Sequence, residues 1–316
     1  MNMLDPQQQT MGLFAGIGVV LVVASLIGRA LKVSVARDLP HGVIDNLNAR
    51  IKAWWVMVAV SAVAFLLGPV GVLLLFAFVS LVALREYTQS GAAGASLSPA
   101  QLTVGAVLPP IQYLLVYGSW VGLYSTLIPL FVLVPWPGLF AATGRGARVP
   151  DVAARTRWGL VLCVYCISYV PALLTLDIPG YEGRGILLIV FLIVVVQSSD
   201  VLQYVWGMLF GRRKVAPDVS PSKTWEGLVG GVASATALGT ALYGITPFSP
   251  WQAAGMALAI NAMGALGGLV FSAIKRERRV KDWSRLIGGH GGMLDRLDSV
   301  ALSAPLFYWL TRVGWS

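Results

Sequence analysis

Long apolar runs recur along this chain, and they constrain its fold more than any other feature of the sequence. A helix needs about 20 consecutive apolar residues to cross the hydrocarbon core of a bilayer. Hydrophobic residues make up 57% of the 316 residues and charged residues only 12%, about half the share that is usual in soluble proteins. The repeated alternation of a β-barrel is not seen, so backbone hydrogen bonds in lipid must be satisfied within helices. The sequence predicts an all-α fold, a polytopic integral membrane helix bundle.

The apolar runs predict about ten transmembrane spans, the first of them retained rather than cleaved as a signal peptide. Residues 53–84 are too long for one span, and Gly68-Pro69 divides them into two. The ten spans are 11–31, the two halves of 53–84, 104–120, 121–142, 158–176, 186–210, 228–248, 251–274 and 299–315. Residues 32–52 are predicted to be a polar linker. A second basic loop is predicted to carry Arg145, Arg148, Arg155 and Arg157.

The distribution of basic residues predicts the orientation. With ten spans, all but two of the 23 lysine and arginine residues, Arg184 and Arg312, fall on one side, which the positive-inside rule makes cytoplasmic. We therefore expect a multi-pass protein of the cell inner (plasma) membrane with its basic loops in the cytoplasm. We divide it into an N-terminal transmembrane bundle (1–142), a middle loop and span (143–184) and a C-terminal catalytic transmembrane domain (185–316).

The net charge of +9 would favour nucleic-acid binding in a soluble chain. Here the charges lie between hydrophobic runs, so they are better explained as topology determinants and as contacts for anionic lipid or nucleotide phosphate. We expect no nucleic-acid partner. Cys163 and Cys166 lie within an apolar run with no second cysteine pair, which favours buried thiols over a redox or zinc site.

The longest strongly polar stretch, residues 272–298, reads SAIKRERRVKDWSRLIGGHGGMLDRLD. It combines three aspartates with seven basic residues, a mixture that suits a site for metal and phosphate together. The aspartates are Asp282, Asp295 and Asp298, and the basic residues are Lys275, Arg276, Arg278, Arg279, Lys281, Arg285 and Arg296. If the chain is helical from Leu294 onward, Asp295 and Asp298 share one helix face. The alternative is a basic cytosolic loop whose acids are local counter-charges.

Polar residues stand out at two further places, one within an apolar run and one directly after it. Asp200 lies in the middle of the run 186–210, where an ionisable group is costly and indicates a functional site. The alternative is that the helix starts later and Asp200 lies at the water interface. In residues 211–227, Ser222-Lys223-Thr224 is similar to the end of a Walker A loop, but the glycines of that loop are missing and a P-loop is rejected.

These blocks resemble the phosphatidate cytidylyltransferases, also called CDP-diacylglycerol synthases. The C-terminal signature of that family is matched by Ser272, Lys275, Arg276, Lys281, Asp282, Ser284, His290, Gly291, Gly292, Asp295, Arg296 and Asp298. A second block is matched by Ser220, Pro221, Lys223, Thr224, Trp225, Glu226 and Gly227, preceded by Asp200 and Tyr204. An Arg-Glu-aromatic triplet similar to Arg85-Glu86-Tyr87 also occurs in the family, although such a pair usually marks a solvated boundary.

The resemblance implies a nucleotidyltransferase that transfers CMP from CTP to phosphatidate, giving CDP-diacylglycerol and pyrophosphate. The expected partners are CTP, phosphatidate, membrane lipid and a second copy of the chain in a homodimer. Mg²⁺ is the expected cofactor, with a second, monovalent cation as an option. We expect Asp200, Asp282, Asp295 and Asp298 to bind metal, and the last three, with Lys281 and His290, to be catalytic. Substrate would be bound by Ser220, Lys223, Thr224, Tyr204, Lys275, Arg276, Arg296, Gly291 and Gly292.

One position departs from the family pattern. Gly268 stands where the family usually carries an aspartate that binds metal, in the sequence Gly267-Gly268-Leu269. This leaves two alternatives to an active enzyme: a catalytically weakened relative that binds nucleotide or lipid as a partner of other lipid enzymes, and a transporter. Asp200 and the broken helices favour a transporter. The gathering of the polar motifs on one face and the lack of an internal repeat disfavour it.

Overall fold

The computed structural model describes residues 6–35, 41–90, 99–136, 138, 149–284, 286 and 291–316. Within these residues the chain is almost entirely helical. The helices are α1 (Pro6–Ser34), α2 (Gly42–Leu66), α3 (Gly68–Gln89), α4 (Pro99–Tyr117), α5 (Val121–Leu133), α6 (Val149–Leu160), α7 (Cys166–Ala172), α8 (Gly185–Phe210), α9 (Trp225–Ala241), α10 (Pro250–Glu277) and α11 (Leu294–Trp315). A π-helical turn, Val161–Tyr165, joins α6 to α7, and short 3₁₀ turns follow at Leu173–Thr175 and Leu242–Ile245.

Seven helical segments of the described chain are long and apolar enough to cross a membrane. They are Phe14–Ser34, Ile44–Leu66, Gly68–Gln89, Ala154–Thr175, Gly185–Phe210, Trp225–Ile245 and Pro250–Glu277. The prediction of an all-α polytopic membrane protein is confirmed. The count of about ten spans is not confirmed and stays a prediction. The division of the chain into three regions at residues 142 and 184 also stays a prediction.

The break predicted at Gly68-Pro69 is present, because α2 ends at Leu66 and α3 begins at Gly68. Gly68 has φ = +72°, a left-handed conformation that favours glycine, and the proline that follows occupies the first turn of α3. The two helices therefore form a hairpin with a tight connection.

Two predicted loops are shorter in the structure. Residues 32–52 were expected to form a linker, but α2 already begins at Gly42. The His41 side chain accepts a hydrogen bond from the Ile44 amide (3.4 Å), and Asp45 accepts one from the His41 amide (2.9 Å), so this helix start is capped. Arg155 and Arg157 lie within α6 rather than in a loop, and Arg145 and Arg148 lie outside the described residues.

The centre of the molecule is packed around buried tyrosines on three helices. Tyr124 of α5, Tyr169 of α7 and Tyr308 of α11 are fully buried, with ring centroids 5.2 to 6.1 Å apart. Aromatic pairs at such distances stabilise a core by about 0.5–1.5 kcal/mol each beyond the burial of their surface. This cluster fixes α11 against the rest of the bundle. Cys163 and Cys166 are free and buried, as the sequence predicts.

Small residues bring α9 against α8. A Cβ atom added to Gly231 would lie 2.5 Å from the amide nitrogen of Gln203, and one added to Gly227 would lie 2.7 Å from the Gln203 carbonyl oxygen. Only glycine allows such close contact between the two backbones, which is a common way for helices to associate in membranes.

The segment between α8 and α9 forms a two-stranded antiparallel hairpin, β1 (Lys214–Ala216) and β2 (Ser220–Thr224). The sequence analysis did not predict these strands. The hairpin is anchored at its end: the Thr224 hydroxyl accepts a hydrogen bond from the Gly227 amide (3.2 Å) and caps α9. The Glu226 carboxylate accepts hydrogen bonds from the amides of Arg212 (3.0 Å) and Arg213 (3.2 Å). The hairpin is thereby held against the ends of α8 and α9.

Candidate functional site

Two aspartates from different helices meet at one end of the bundle. Asp200 lies within α8 and Asp298 lies in the second turn of α11. The Ser299 hydroxyl connects them, with its Oγ 2.8 Å from Asp200 Oδ2 and 3.3 Å from Asp298 Oδ1. The Ser299 amide also donates to Asp298 Oδ1 (2.8 Å). We call Asp200 and Asp298 the acidic pair.

The acidic pair is built by the helices themselves. Because α8 begins at Gly185, Asp200 lies more than three turns inside a continuous helix, and a later start of this helix is excluded. Gln197, one turn earlier on α8, donates to the carbonyl oxygen of Arg296 on α11 (3.2 Å). The two helices are thus joined directly beside the two carboxylates.

A lysine from the hairpin lies near the acidic pair. Lys223 of β2 and Arg296 of α11 both bring a positive charge near Asp200 and Asp298. The Lys223 ammonium lies against α10 at Gly268, where an added Cβ would be 2.6 Å from Lys223 Nζ and 3.8 Å from Ser299 Oγ. We call this place the Gly268 notch. Four elements therefore converge here: α8, α10, α11 and the hairpin.

Asp295, one turn before Asp298, has a different environment. Its Oδ1 forms an ion pair with Lys275 Nζ of α10 (2.8 Å), and both side chains are largely buried. Its Oδ2 accepts hydrogen bonds from the amides of Trp283 (2.9 Å) and Gly292 (2.8 Å). Asp295 therefore fixes both ends of the segment between α10 and α11, and a cation at Asp295 would compete with Lys275.

Glu86, near the end of α3, holds the start of α11. Its carboxylate accepts hydrogen bonds from the amides of Met293 (3.0 Å) and Leu294 (2.8 Å) and from the Ser284 hydroxyl (2.6 Å). The first amides of a helix lack partners within the helix, and a carboxylate is favoured there. Gly292 packs so closely that an added Cβ would be 2.6 Å from Glu86 Oε2. We call these contacts the Glu86 clasp.

A second contact beside the clasp involves Arg278. Its guanidinium carbon lies 3.9 Å from the ring centroid of Tyr87 and 5.4 Å from that of Trp283, and the two rings stack at 5.3 Å. Arg278 also donates to the Tyr87 carbonyl oxygen and to the Ser90 hydroxyl. Burial lowers the pKa of the Arg278 guanidinium. The end of α3 thereby contacts the segment after α10 in two places, through Glu86 and through Tyr87 and Ser90.

The remaining predicted site residues lie in several places. Lys281 and Asp282 are exposed on the segment after α10, and Tyr204 is 63% exposed on α8. Arg276 donates from Nε to the Val219 carbonyl oxygen of the hairpin (3.1 Å), and Arg296 is partly buried at the start of α11. Ser220 and Thr224 are buried in the hairpin, and Gly291 adopts φ = +81° beside Asp295. His290 lies outside the described residues.

Sequence reasoning did not find the Glu86 clasp or the bridging role of Ser299. Arg85-Glu86-Tyr87 was noted as a triplet, but its usual meaning is a solvated boundary. The signal that was available is the position of Glu86 at the end of an apolar run, on the same side as the polar signature. Ser299 directly follows the last aspartate of the signature.

The carboxylate oxygens of the acidic pair suit a hard cation such as Mg²⁺ if a bound phosphate supplies further ligands. No group of three or more histidine, cysteine or acidic side chains that could hold a metal ion occurs among the residues the structure describes. The acidic pair offers two carboxylates, and Mg²⁺ usually combines one or two carboxylates with the phosphates of a substrate. The pair therefore fits an ion that is shared with a bound phosphate, rather than one held by a full set of protein ligands.

Comparison with known proteins shows where similar sequences occur. Residues 48–313 match the cytidylyltransferase family. The chain is 35% identical over 295 residues to the uncharacterized protein YnbB of Escherichia coli, covering 92% of this chain and 95% of that protein. It is 38% identical over 153 residues to the phosphatidate cytidylyltransferase of Haemophilus influenzae, covering 45% of this chain and 52% of that enzyme. For the phosphatidate cytidylyltransferase of Bacillus subtilis, the identity is 37% over 137 residues, covering 43% of this chain and 51% of that enzyme. The similarity thus spans about half the length of both enzymes.

Proposed function

The chain belongs to the cytidylyltransferase family, and from this premise we propose that it transfers CMP from CTP to phosphatidate, giving CDP-diacylglycerol and pyrophosphate for phospholipid synthesis. The observation that carries the proposal is the acidic pair, Asp200 and Asp298, bridged by the Ser299 hydroxyl, with the Lys223 ammonium nearby at Gly268. Two carboxylates and a cation that come together from three elements suit a phosphoryl-type transfer, which depends mainly on positioning and on neutralising charge.

The reaction would proceed by displacement at the α-phosphorus of CTP. An oxygen of the phosphatidate phosphate forms the new P–O bond, and the bond between that phosphorus and the pyrophosphate oxygen breaks, so pyrophosphate leaves with the bonding electrons. Lys223 would bind a phosphate oxygen beside the acidic pair, assisted by Arg276 and Arg296 on the neighbouring elements. Asp200 and Asp298 would hold Mg²⁺, which would neutralise phosphate charge when bound with CTP. No covalent intermediate on the protein is required.

A groove beside the hairpin supports a lipid as the second substrate. It encloses about 620 Å³ and is lined by Trp206, Phe210, Arg213, Trp225, Glu226, Val229 and Gly230. The aromatic and aliphatic side chains suit acyl chains, and tryptophan is common at the level of lipid headgroups. The Arg213 guanidinium suits a phosphate monoester. Trp225 is two residues from Lys223 in the chain, so the groove opens close to the proposed reaction centre.

If the groove binds phosphatidate, Arg213→Ala should raise the KM for phosphatidate about tenfold and leave the KM for CTP unchanged, because a charge-assisted contact to the lipid phosphate is removed. The measurement is initial rate against each substrate in mixed micelles. Arg212→Ala is the matched control, since Arg212 is exposed next to Arg213 but does not line the groove. An equal rise for both substrates, or for both variants, would remove Arg213 from lipid recognition.

The direct test of the proposed function is formation of CDP-diacylglycerol by the purified protein in detergent. The assay follows labelled CTP into extracted lipid while Mg²⁺ is titrated. Product that requires CTP, phosphatidate and Mg²⁺ supports the proposal. Omitting phosphatidate gives the matched blank for labelled lipid. A protein that is folded and monodisperse but forms no such product at any Mg²⁺ concentration would contradict it.

A second candidate is a relative that binds nucleotide or lipid without turnover, and Gly268 is the observation that favours it. With glycine at this position no side-chain carboxylate can join the acidic pair from α10. Saturable CTP binding without any product would support this candidate over the enzyme. The proposal also includes an inner-membrane location, a cytoplasmic site and a homodimer.

A further inference from the structure

The hydroxyl of Ser299 does not make the hydrogen bond that is usual for a serine inside a helix. A helical serine often donates to the carbonyl oxygen four residues earlier. Ser272 donates in this way to Gly268 (2.6 Å), and Ser303 donates in this way to Ser299 (2.8 Å). The Ser299 hydroxyl instead crosses from α11 to α8, where its Oγ lies 2.8 Å from Asp200 Oδ2. Local helix structure therefore does not account for this contact.

Ser299 supplies a hydrogen-bond donor to each carboxylate of the acidic pair. Its hydroxyl has one proton, which at these distances goes to Asp200 Oδ2 (2.8 Å) rather than to Asp298 Oδ1 (3.3 Å). Its amide donates to Asp298 Oδ1 (2.8 Å). Among the residues that the structure describes, no further hydrogen bond or ion pair reaches either carboxylate. One oxygen of each carboxylate, Asp200 Oδ1 and Asp298 Oδ2, is therefore left for a ligand.

Close packing of α11 against α10 fixes the position of Ser299. The residue is only 2% exposed. A Cβ atom added to Gly267 would lie 2.5 Å from the Asp298 carbonyl oxygen, and one added to Gly264 would lie 3.5 Å from Ser299 Cβ. The backbone of α11 at the acidic pair thus lies directly on glycines of α10, an arrangement that brings helices close together in membranes. A donor held in this way keeps its orientation before any ligand binds.

We propose that Ser299 is a positioning residue, which orients the carboxylates of Asp200 and Asp298 so that one oxygen of each is left for a divalent cation. Removing a group that orients metal ligands without touching the metal commonly weakens metal binding by about 10- to 100-fold. The cation is the one that the proposed function requires, so the inference rests on that function. Binding of a cation can nevertheless be measured without turnover.

The test is Mn²⁺ binding to the purified protein in detergent, with free Mn²⁺ measured by electron paramagnetic resonance and neither CTP nor phosphatidate added. Ser299→Ala should weaken Mn²⁺ binding about tenfold, because the Asp200 carboxylate loses the donor that orients it. Asp298→Asn gives the background, since it removes a charged member of the acidic pair. Mn²⁺ that binds to the parent but not to Asp298→Asn belongs to the pair.

Ser303→Ala is the matched control, because Ser303 is also a buried serine of α11, one turn after Ser299. Its hydroxyl donates to the carbonyl oxygens of Ile260 (2.8 Å) and Ser299 (2.8 Å) and is not hydrogen-bonded to either carboxylate. Ser303→Ala should lower the Tm, as the loss of a buried hydrogen bond does, and keep the Mn²⁺ affinity of the parent within about twofold. A loss of affinity confined to Ser299→Ala therefore reports the orientation of the carboxylates rather than packing.

The enzyme assay gives a second measurement. Ser299→Ala should raise the Mg²⁺ concentration that gives half the maximal rate about tenfold and leave the KM for phosphatidate unchanged, because the lipid contacts are not altered. An equal rise in both quantities would contradict a role in orienting the carboxylates.

The proposal is overturned if Ser299→Ala binds Mn²⁺ within about twofold of the parent, or if Ser299→Ala and Ser303→Ala lose affinity equally. It is also overturned if the parent binds no more Mn²⁺ than Asp298→Asn does. A protein that binds Mn²⁺ as expected but forms no CDP-diacylglycerol would contradict the proposed function and still support the role of Ser299.

Discussion

Replacing Asp298 with asparagine is expected to lower the rate of CDP-diacylglycerol formation by about a thousandfold, since the loss of one preorganised charge at a reaction centre has effects of this order. Asparagine keeps the size of the side chain and its contact with the Ser299 amide, but removes one of the two charges of the acidic pair. A cation shared with the CTP phosphates would then have a single carboxylate, Asp200, as its protein ligand. The measurement is the rate of transfer of labelled CMP to phosphatidate at saturating substrate and Mg²⁺.

The stability of this variant separates chemistry from folding. Removing one of two neighbouring, partly buried charges relieves repulsion, so the Tm of Asp298→Asn should equal or exceed that of the parent. Asp218→Asn is the matched control for activity, because Asp218 is exposed on the nearby hairpin and keeps the net charge change the same. It should keep activity within about threefold. A fully active Asp298→Asn would remove the acidic pair from the mechanism, and an inactive Asp218→Asn would show that overall charge, not the pair, controls the rate.

The two signature aspartates show which features of the site could be predicted from the sequence and which could not. Their spacing of three residues was visible in the sequence, which gave a helix from Leu294 only as a condition for a shared face and began the last span at residue 299. The structure has the helix from Leu294. The sequence treats Asp295 and Asp298 as equivalent members of one motif. The structure separates them, because Asp295 is held by Lys275 and two amides whereas Asp298 faces Asp200. Residues that distinguish the two environments come from other elements, and local periodicity carries no information about them.

The position of the Lys223 side chain also could not be predicted from local sequence, because it depends on contacts with distant elements. Its motif was recognisable, and so was the unusual glycine at 268, but these residues are separated by more than forty positions in the chain. Whether the lysine side chain lies over that glycine depends on how the hairpin packs against α10. The hairpin itself was missed, since its five-residue strand and its three-residue partner carry too few apolar residues to show a period of two.

Glu86→Ala is expected to have the largest effect on stability. Glu86 is 7% exposed, and its loss leaves the amides of Met293 and Leu294 without their acceptor at the start of α11. A buried donor left without its acceptor costs about 1–3 kcal/mol, so the loss of the Glu86 carboxylate should lower the free energy of unfolding by about 3–5 kcal/mol in total. Because α11 also carries Asp298, the rate of CMP transfer should fall with it. The first measurement is thermal unfolding in detergent, and the second is hydrogen exchange of the amides in residues 291–294.

Arg85→Ala provides the matched control for this prediction, since Arg85 is exposed on the same turn of α3 as the buried Glu86. It should keep the Tm and the amide protection of the parent, because exposed charges contribute little to stability. Glu86→Gln should lie between the two, since an amide oxygen can still accept a hydrogen bond but carries no charge toward the helix start. If the amides of Met293 and Leu294 stay protected in Glu86→Ala, then the start of α11 is positioned by contacts other than Glu86. In that case the end of α3 supports the fold without organising the site, and the link between the N-terminal helices and the signature segment would rest on Arg278 and its aromatic partners.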